Sequence, residues 1–130
     1  MKRTTTLFLS FYLIIFSCED TNLTGSENVS EIENVTFSNL STSISNNTLI
    51  ASGTITNDNQ SLIMSPPWYI ECQYYYENTS GNIFLIGGES TLISNALPAG
   101  VSLNWTLEHQ VDNPDNYSNF TINDLRAYKN

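Results

Sequence analysis

Short runs in which apolar and polar residues strictly alternate are the feature that most constrains the fold of this sequence. In the clearest run, over 101–107, Leu103, Trp105 and Leu107 alternate with polar residues. Because successive side chains of a β-strand point to opposite faces, such a run predicts a strand with one face in a core and the other in water. No segment shows a helical period of useful length, so the sequence predicts an all-β fold.

Seven segments of the chain carry strand signals of this kind. Four are strong and three are weaker, and they cover 49–56, 68–77, 101–108 and 119–123, then 35–40, 83–87 and 89–93. Clusters of Asn, Asp and Gly separate them, and Gly87-Gly88 predicts a bend or bulge between the last two. This pattern favours an antiparallel β-sandwich of about seven strands over residues 32–128, with closure into a barrel as the architectural alternative.

The N-terminal residues have the layout of a secretory signal peptide. Lys2 and Arg3 precede an apolar run over 7–16, which is shorter than the ~20 residues of a membrane-spanning helix. The ending Ile15-Phe16-Ser17-Cys18 resembles the lipobox of bacterial lipoproteins. The resemblance implies that residues 1–17 are removed and that Cys18 carries the lipid. The alternative is an ordinary signal peptide in which this cysteine has no role.

A polar stretch follows the lipobox. Residues 18–31 lack apolar periodicity and contain Gly25, so they predict a flexible tether between the lipid and the domain. A first edge strand that begins near Val29 is the alternative for the end of this stretch. Glu19-Asp20 resembles the acidic export signal of Bacteroidota lipoproteins. That resemblance implies an outer-membrane lipoprotein of the cell envelope, on either the surface or the periplasmic side.

The charge balance limits the partners of the mature chain. After cleavage before Cys18, only Arg126 and Lys129 remain against thirteen acids, a formal charge of -11. A nucleic-acid partner held by phosphate contacts is therefore excluded, and an anionic bilayer repels the domain. Attachment to the membrane must come from the lipid on Cys18. An envelope protein with basic groups or a neutral glycan fits this charge better than an anionic ligand does.

The order of predicted strands and turns resembles that of FxLYD-type immunoglobulin-like domains. The segment Gly53-Thr-Ile-Thr-Asn57 matches the family's G-x-V-x-N strand, and Tyr76-Glu77 stands where the family has Tyr-Asp. Leu97-Pro98-Ala99-Gly100, just before the 101–107 strand, corresponds to the family's L-x-P-G loop. The resemblance implies an immunoglobulin-like sandwich that carries no catalytic constellation.

The residues that catalysis would need are sparse. His109 is the only histidine, it lies at a strand end, and no Gly-x-Ser-x-Gly segment presents a serine, so we expect a surface histidine. Glu71 and Glu77 lie six residues apart on one strand, ~20 Å, which is too far for a glycosidase pair. The sequence therefore predicts a protein that is not an enzyme and uses no cofactor, with a hydrolase as the disfavoured alternative.

Two further features have a structural and a chemical interpretation. Cys72 shares a predicted strand face with Trp68, Ile70 and Tyr74, so we expect a buried thiol, with a reactive thiol as the alternative. The loop with Asp112 and Asp115 offers closely spaced oxygens that suit Ca²⁺, although Asp and Asn also form turns without a metal. We expect a turn there.

The 68–77 strand carries the candidate binding residues. If Trp68 faces the core, Tyr69 and Tyr75 face outward, where tyrosines bind sugars or protein partners well. The sequence thus predicts a non-enzymatic, lipid-anchored cell-envelope protein that acts as a structural or protein-interaction module. The alternative is a carbohydrate- or peptide-binding module that uses these outward tyrosines. The competing structural interpretation is that another part of the chain covers the two rings.

Overall fold

The computed structural model describes residues 29–130, so the predicted signal peptide, Cys18 and most of the tether lie outside the described residues. The described part contains seven strands and a short 3-10 helix. In chain order they are β1 (Ser30–Glu31), β2 (Val35–Ser45), β3 (Thr48–Asn57), β4 (Trp68–Glu77), β5 (Ile83–Ile93), β6 (Ser102–Gln110), the 3-10 helix (Pro114–Tyr117) and β7 (Thr121–Lys129).

The strands form two antiparallel sheets. The four-stranded sheet has the order β1-β7-β4-β5, and the three-stranded sheet has the order β2-β3-β6. No strand belongs to both sheets, so the predicted all-β sandwich of about seven strands is confirmed and the barrel is not formed. Within residues 29–130, the chain has no helix with the length and hydropathy of a membrane span.

The three-stranded sheet confirms the predicted alternation. In β3 every second residue is buried, and Leu49, Ala51 and Ile55 are fully buried. Trp105 and Leu107 on β6 are buried against them, whereas Asn104 is exposed, as the sequence predicts. The pattern is clean because β3 is the central strand and presents one face to the core and the other to solvent.

Gly53 makes room for the Trp105 ring. A Cβ atom at Gly53 would lie 2.9 Å from a ring carbon of Trp105 and 2.9 Å from a terminal carbon of Leu40. Gly53 and Trp105 are direct partners across β3 and β6, so the ring lies over the glycine. The Phe37 ring packs nearly perpendicular to the same ring, with centroids 6.0 Å apart. The glycine is thus required by packing.

In the four-stranded sheet, one face of β4 packs into the core. Trp68, Ile70, Cys72 and Tyr74 are all fully buried, which confirms the predicted inward face. The polar atoms of the two largest side chains are satisfied. Trp68 Nε1 donates to the Asn95 carbonyl at 3.0 Å, and Tyr74 Oη donates to the Leu107 carbonyl of the opposite sheet at 2.9 Å.

The prediction of two short strands around Gly87-Gly88 is wrong, because β5 is continuous from Ile83 to Ile93. An irregularity is present, but it lies at Ile86, which is the extra residue between the pairs Tyr74–Gly87 and Tyr75–Leu85. Gly87 faces His109 across the sandwich, and a Cβ atom there would lie 2.4 Å from the ring. A close approach between the sheets therefore explains this glycine.

Three strand boundaries also differ from the predicted ones. β7 continues to Lys129, beyond the predicted 119–123. The alternating pattern stops early in the sequence because a bulge at Asp124, with a φ of 53°, changes which of the following residues face the core. β2 continues to Ser45 because Asn46, with a φ of 51°, helps the chain turn directly into β3. Ser30–Glu31, placed in the tether by the main prediction, pairs with β7, as the alternative of an early edge strand predicts.

Candidate functional site

The outward side of the four-stranded sheet brings the predicted binding residues together. Directly paired residues of antiparallel strands point to the same face, so the register defines this surface, which we call the outer face. Its members come from all four strands of the sheet. They are Glu31 of β1, Tyr69, Glu71, Gln73, Tyr75 and Glu77 of β4, Ile83, Leu85, Gly88, Ser90 and Leu92 of β5, and Thr121, Asn123, Arg126 and Tyr128 of β7.

Tyr69 lies on the outer face, as predicted, but it is half-buried. Its ring stacks on Tyr128, with centroids 5.1 Å apart and planes at 14°. The guanidinium carbon of Arg126 lies 5.6 Å from the Tyr128 ring centroid, within the range of a cation–π contact. Burial raises the pKa of the Tyr128 phenol, against a hydrogen bond with Ser90 that lowers it. Tyr69 is thus part of a rigid aromatic cluster.

Tyr75 is also half-buried and lies at the other end of the same face. Its hydroxyl contacts Gln73 Oε1 and lies 3.2 Å from Asp124 Oδ2. Partial burial and then the nearby negative charge of Asp124 raise the pKa of the phenol. Tyr75 therefore remains neutral at neutral pH, and polar neighbours hold its hydroxyl.

Between the two tyrosines, Glu71 is a buried acid on a face that the sequence predicts to be solvated. The residue is 3% exposed. Arg126 Nε donates to Glu71 Oε1, whereas Glu71 Oε2 is buried and has no hydrogen-bond partner in the described part of the chain. This pair is not predicted from the sequence, in which Glu71 is weighed only as a possible partner of Glu77. The available signal is that Arg126 and Lys129 are the only Lys or Arg residues after Arg3, so a buried acid has few cations to pair with.

A shallow groove of about 320 Å³ opens beside this pair. Its lining consists of three carboxylates, one guanidinium, one amide and one leucine, from Glu31, Glu71, Asp124, Arg126, Gln73 and Leu125. The groove lies where β1 ends and the bulge of β7 begins, so the fold and not a mobile loop shapes it. Its lining is formally negative.

Exposed aliphatic side chains lie at both ends of β5 on the outer face, with Gly88 and Ser90 between them. Ile83, Leu85 and Leu92 are exposed, and they pair with Glu77, Tyr75 and Tyr69 respectively. Each aliphatic side chain thus lies beside a residue of the outward side of β4. Aliphatic side chains next to half-exposed tyrosines are typical of surfaces that bind other proteins.

His109 is not the surface histidine that we expect from the sequence, because its side chain is 19% exposed and lies between the two sheets. Its Nδ1 lies 2.8 Å from Glu89 Oε1, and its ring stacks on Tyr74 with centroids 5.3 Å apart. The contact between Glu89 and His109 gives this histidine a structural role, because it joins the edge strands β5 and β6 of the two sheets. No local pattern predicts this contact, because Glu89 and His109 are brought together only by the tertiary fold.

Cys72 lies in the core, and Asp112 and Asp115 lie in the connection between β6 and β7. Cys72 is fully buried, and burial raises the pKa of its thiol to about 12, so the sulfur is protonated and unreactive at neutral pH. Asp112 lies in a bend and Asp115 in the first turn of the 3-10 helix, and both are exposed. Over residues 29–130, no three His, Cys, Asp or Glu side chains are grouped so as to hold a metal ion.

Comparison with protein-family models, with curated proteins and with solved structures finds no match to this chain. The proposed function therefore comes from the outer face and from the sequence features alone.

Proposed function

We propose that this chain is a non-enzymatic, lipid-anchored protein of the cell envelope that binds another protein through the outer face. The observation that carries this proposal is that each tyrosine has an exposed leucine of β5 directly beside it, Leu92 beside Tyr69 and Leu85 beside Tyr75. Rigid aromatic rings supply contact area at a low entropic cost, and the exposed leucines supply apolar area to bury.

The arrangement of Tyr69 favours a protein ligand over a glycan. Sugar rings stack on the open face of an aromatic side chain, whereas Tyr69 already has a face engaged by Tyr128. The exposed Ile83, Leu85 and Leu92 also present hydrocarbon, which a protein partner covers better than a hydroxyl-rich sugar does. A neutral glycan that stacks on the remaining ring edges is the alternative ligand.

The anchor and the location follow from the N-terminal resemblance. The lipobox-like Ile15-Phe16-Ser17-Cys18 and the acidic Glu19-Asp20 support a lipid on Cys18 and the outer membrane as the site. We also propose that the domain belongs to the FxLYD-type immunoglobulin-like family, on the resemblance of Gly53–Asn57, Tyr76-Glu77 and Leu97–Gly100. A formal charge of -11 after cleavage, from two basic and thirteen acidic residues, supports a partner that is basic or neutral.

The double variant Tyr69→Ser with Tyr75→Ser tests the binding face. We expect it to remain folded, because both rings are only half-buried, and to lose the protein that the wild-type chain captures from its native membrane. The expected loss of stability is about 1–3 kcal/mol, mainly from the Tyr69–Tyr128 stack. Thermal unfolding and affinity capture followed by mass spectrometry measure the two effects.

A matched control places two changes on the exposed side of β6. Asn104→Ala with Thr106→Ala also removes two surface side chains, and we expect it to capture the same protein as the wild type. Capture that survives the tyrosine changes, or that is lost equally in the control, contradicts the assignment of the outer face.

The substitution Cys18→Ser tests the anchor. Without the thiol no thioether to diacylglycerol can form, so we expect the protein to move from the membrane pellet to the soluble fraction. Metabolic labelling with a fatty-acid analogue should mark the wild-type chain and leave the variant unlabelled. A wild-type chain that takes up no label shows that the cysteine has no role as an anchor.

A further inference from the structure

Two connections between the sheets lie at the end of the sandwich where the chain enters the domain. Ser30, the first residue of β1, pairs with Lys129 near the end of β7, and β4 begins at this end because it is antiparallel to β7. The connection 58–67 leads from β3 into the start of β4, and the connection 94–101 leads from the end of β5 into β6. We call this end of the sandwich the entry end.

Large apolar side chains are exposed at the entry end. Leu62 and Ile63, in the middle of the first connection, are 67% and 58% exposed. Val101, at the end of the second connection, is 44% exposed. Several aliphatic side chains left in water at one end of a small domain indicate a surface that another apolar phase covers.

The fold holds Leu62 and Ile63 outward. The next residue, Met64, is buried and exchanges two backbone hydrogen bonds of 3.0 Å with Leu97, so it closes the core at this point. The Asn57 amide donates to the Leu62 carbonyl at 2.8 Å. Because Met64 occupies the core position, the two exposed side chains can leave water only by contact with something outside the domain. The paired backbone groups lower the cost of such a contact.

The two connections are also a neutral part of an acidic chain. Residues 59–70 and 90–107 contain no Asp, Glu, Lys or Arg, although the whole chain has thirteen acids. At the opposite end of the sandwich, exposed Glu77, Asp112 and Asp115 lie in or beside the connections. The charged residues near the entry end are Glu31, Glu33, Asp58 and Lys129. Uncharged connections with exposed aliphatic groups suit a lipid surface of neutral headgroups, and the acidic end does not.

We propose that the entry end contacts the lipid surface that holds Cys18, with Leu62 and Ile63 inserted among the headgroups. This inference rests on the lipid anchor of the proposed function and adds a second contact, which sets how the domain stands on the membrane. The strands then run away from the bilayer, and the outer face lies along the side of the domain, where a partner can reach it.

The short link to the lipid makes a weak contact effective. Cys18 and Val29 are eleven positions apart, so the link spans at most ~40 Å. Val29 leads directly into β1 at the entry end, which therefore stays nearer to the lipid than the opposite end does. A contact confined in this way is in effect intramolecular, so two aliphatic side chains suffice where they could not hold a free domain.

Quenching of single fluorescent labels by lipid tests the contact. Ile63→Cys and, at the opposite end, Ile83→Cys are labelled with a nitrobenzoxadiazole dye in the acylated full chain, where the buried thiol of Cys72 does not compete. The chain is then placed in phosphatidylcholine vesicles with and without nitroxide-labelled headgroups. We expect the nitroxide to quench the label at 63 by at least about half, and the label at 83, ~30 Å away along the sheet, by less than about a tenth.

A pair of variants tests whether the exposed aliphatic side chains cause the contact. With the label at Val101→Cys, the changes Leu62→Ser and Ile63→Ser should lower the quenching at least about threefold. The matched control, Leu40→Ser with Ile44→Ser, removes two exposed aliphatic side chains of β2 and should leave the quenching at 101 unchanged. If the first variant does not fold, the comparison of labels at 63 and 83 decides.

Four results would overturn the inference. Quenching at neither site in the acylated chain shows that the entry end stays in water, which removes this inference and keeps the anchor. Equal quenching at 63 and 83 shows that the domain has no fixed orientation. A label at 63 that is shielded from a water-soluble quencher in native membranes, but not in pure lipid, shows that a protein covers the entry end. A chain from native membranes that carries no acyl group contradicts the anchor itself, and this inference with it.

Discussion

Replacing Trp105 by alanine should lower the free energy of unfolding by about 3–5 kcal/mol, the range for deleting a large buried aromatic side chain. The residue is 4% exposed, and its ring lies over Gly53 with the Phe37 ring packed nearly perpendicular to it. The ring therefore fills the space that the glycine leaves, and its removal opens a cavity in the core. Such a loss is a large share of a total stability of about 5–15 kcal/mol. Urea unfolding followed by circular dichroism measures it.

Two companion variants sharpen the interpretation of this loss. Trp105→Phe keeps most of the apolar ring and removes an indole N–H that has no hydrogen-bond partner in the described part of the chain, so its loss should be well below that of Trp105→Ala. Asn104→Ala, one position away on the exposed face, should cost less than about 1 kcal/mol. Equal losses at 104 and 105 would mean that the register of β6 is wrong by one residue.

Replacing Asn57 by alanine should cost about 2–4 kcal/mol, although the side chain is small and polar. Asn57 is fully buried, and its Nδ2 donates to the carbonyls of Leu62 and Leu97 at 2.8 and 2.9 Å. Its Oδ1 accepts from the backbone and side chain of Asn59 at 3.1 and 2.8 Å. The alanine variant removes both donations, so the Leu62 carbonyl loses the amide and the buried Leu97 carbonyl keeps only its hydrogen bond from the Met64 N–H, at 3.0 Å.

The same position distinguishes hydrogen bonding from packing. Asn57→Asp has almost the same shape but replaces the donating amide by an acceptor, so it should cost at least as much as Asn57→Ala at neutral pH. Thermal unfolding of both variants beside Asn104→Ala gives the comparison. A loss below about 1 kcal/mol for Asn57→Ala would show that water replaces the amide and that Asn57 does not hold the segments around Leu62 and Leu97 in place.

The fold could be predicted where one sheet face meets the core and the other meets solvent. β3 and β6 satisfy this condition, so the alternation around Ala51 and Trp105 predicts both the strands and the buried residues correctly. The inward face of β4 is also predicted, because apolar residues recur there at every second position, although Glu71 and Gln73 on the opposite face are buried as well. Here the physical rule is local, because the period of a strand is two whatever its partners are.

The differences arise where tertiary context changes the pattern. The bulge at Asp124 reverses which residues of β7 face inward, so a strict period of two ends there. The second half of β2 is exposed on both faces and has no apolar period to detect. The two glycines of β5 look like a break in the sequence, but Gly87 makes room for His109 of the other sheet.

The candidate site shows the same division between local and tertiary information. Tyr69 and Tyr75 could be placed on the outer face because they alternate with buried residues of their own strand. The burial of Glu71 could not be predicted, since it depends on the register that places Arg126 opposite. The groove depends further on where β1 leaves the edge of β7, which no periodicity encodes.

Site-specific photo-crosslinking in the native membrane tests the central claim, that the outer face binds a protein partner. A benzophenone side chain at position 92 replaces an exposed leucine next to Tyr69, and the same group at position 106 probes the exposed side of the three-stranded sheet. We predict a discrete protein adduct from position 92 that is absent from position 106 and is lost when Tyr69→Ser is added. No adduct from position 92, or the same adduct from both positions, would contradict the account.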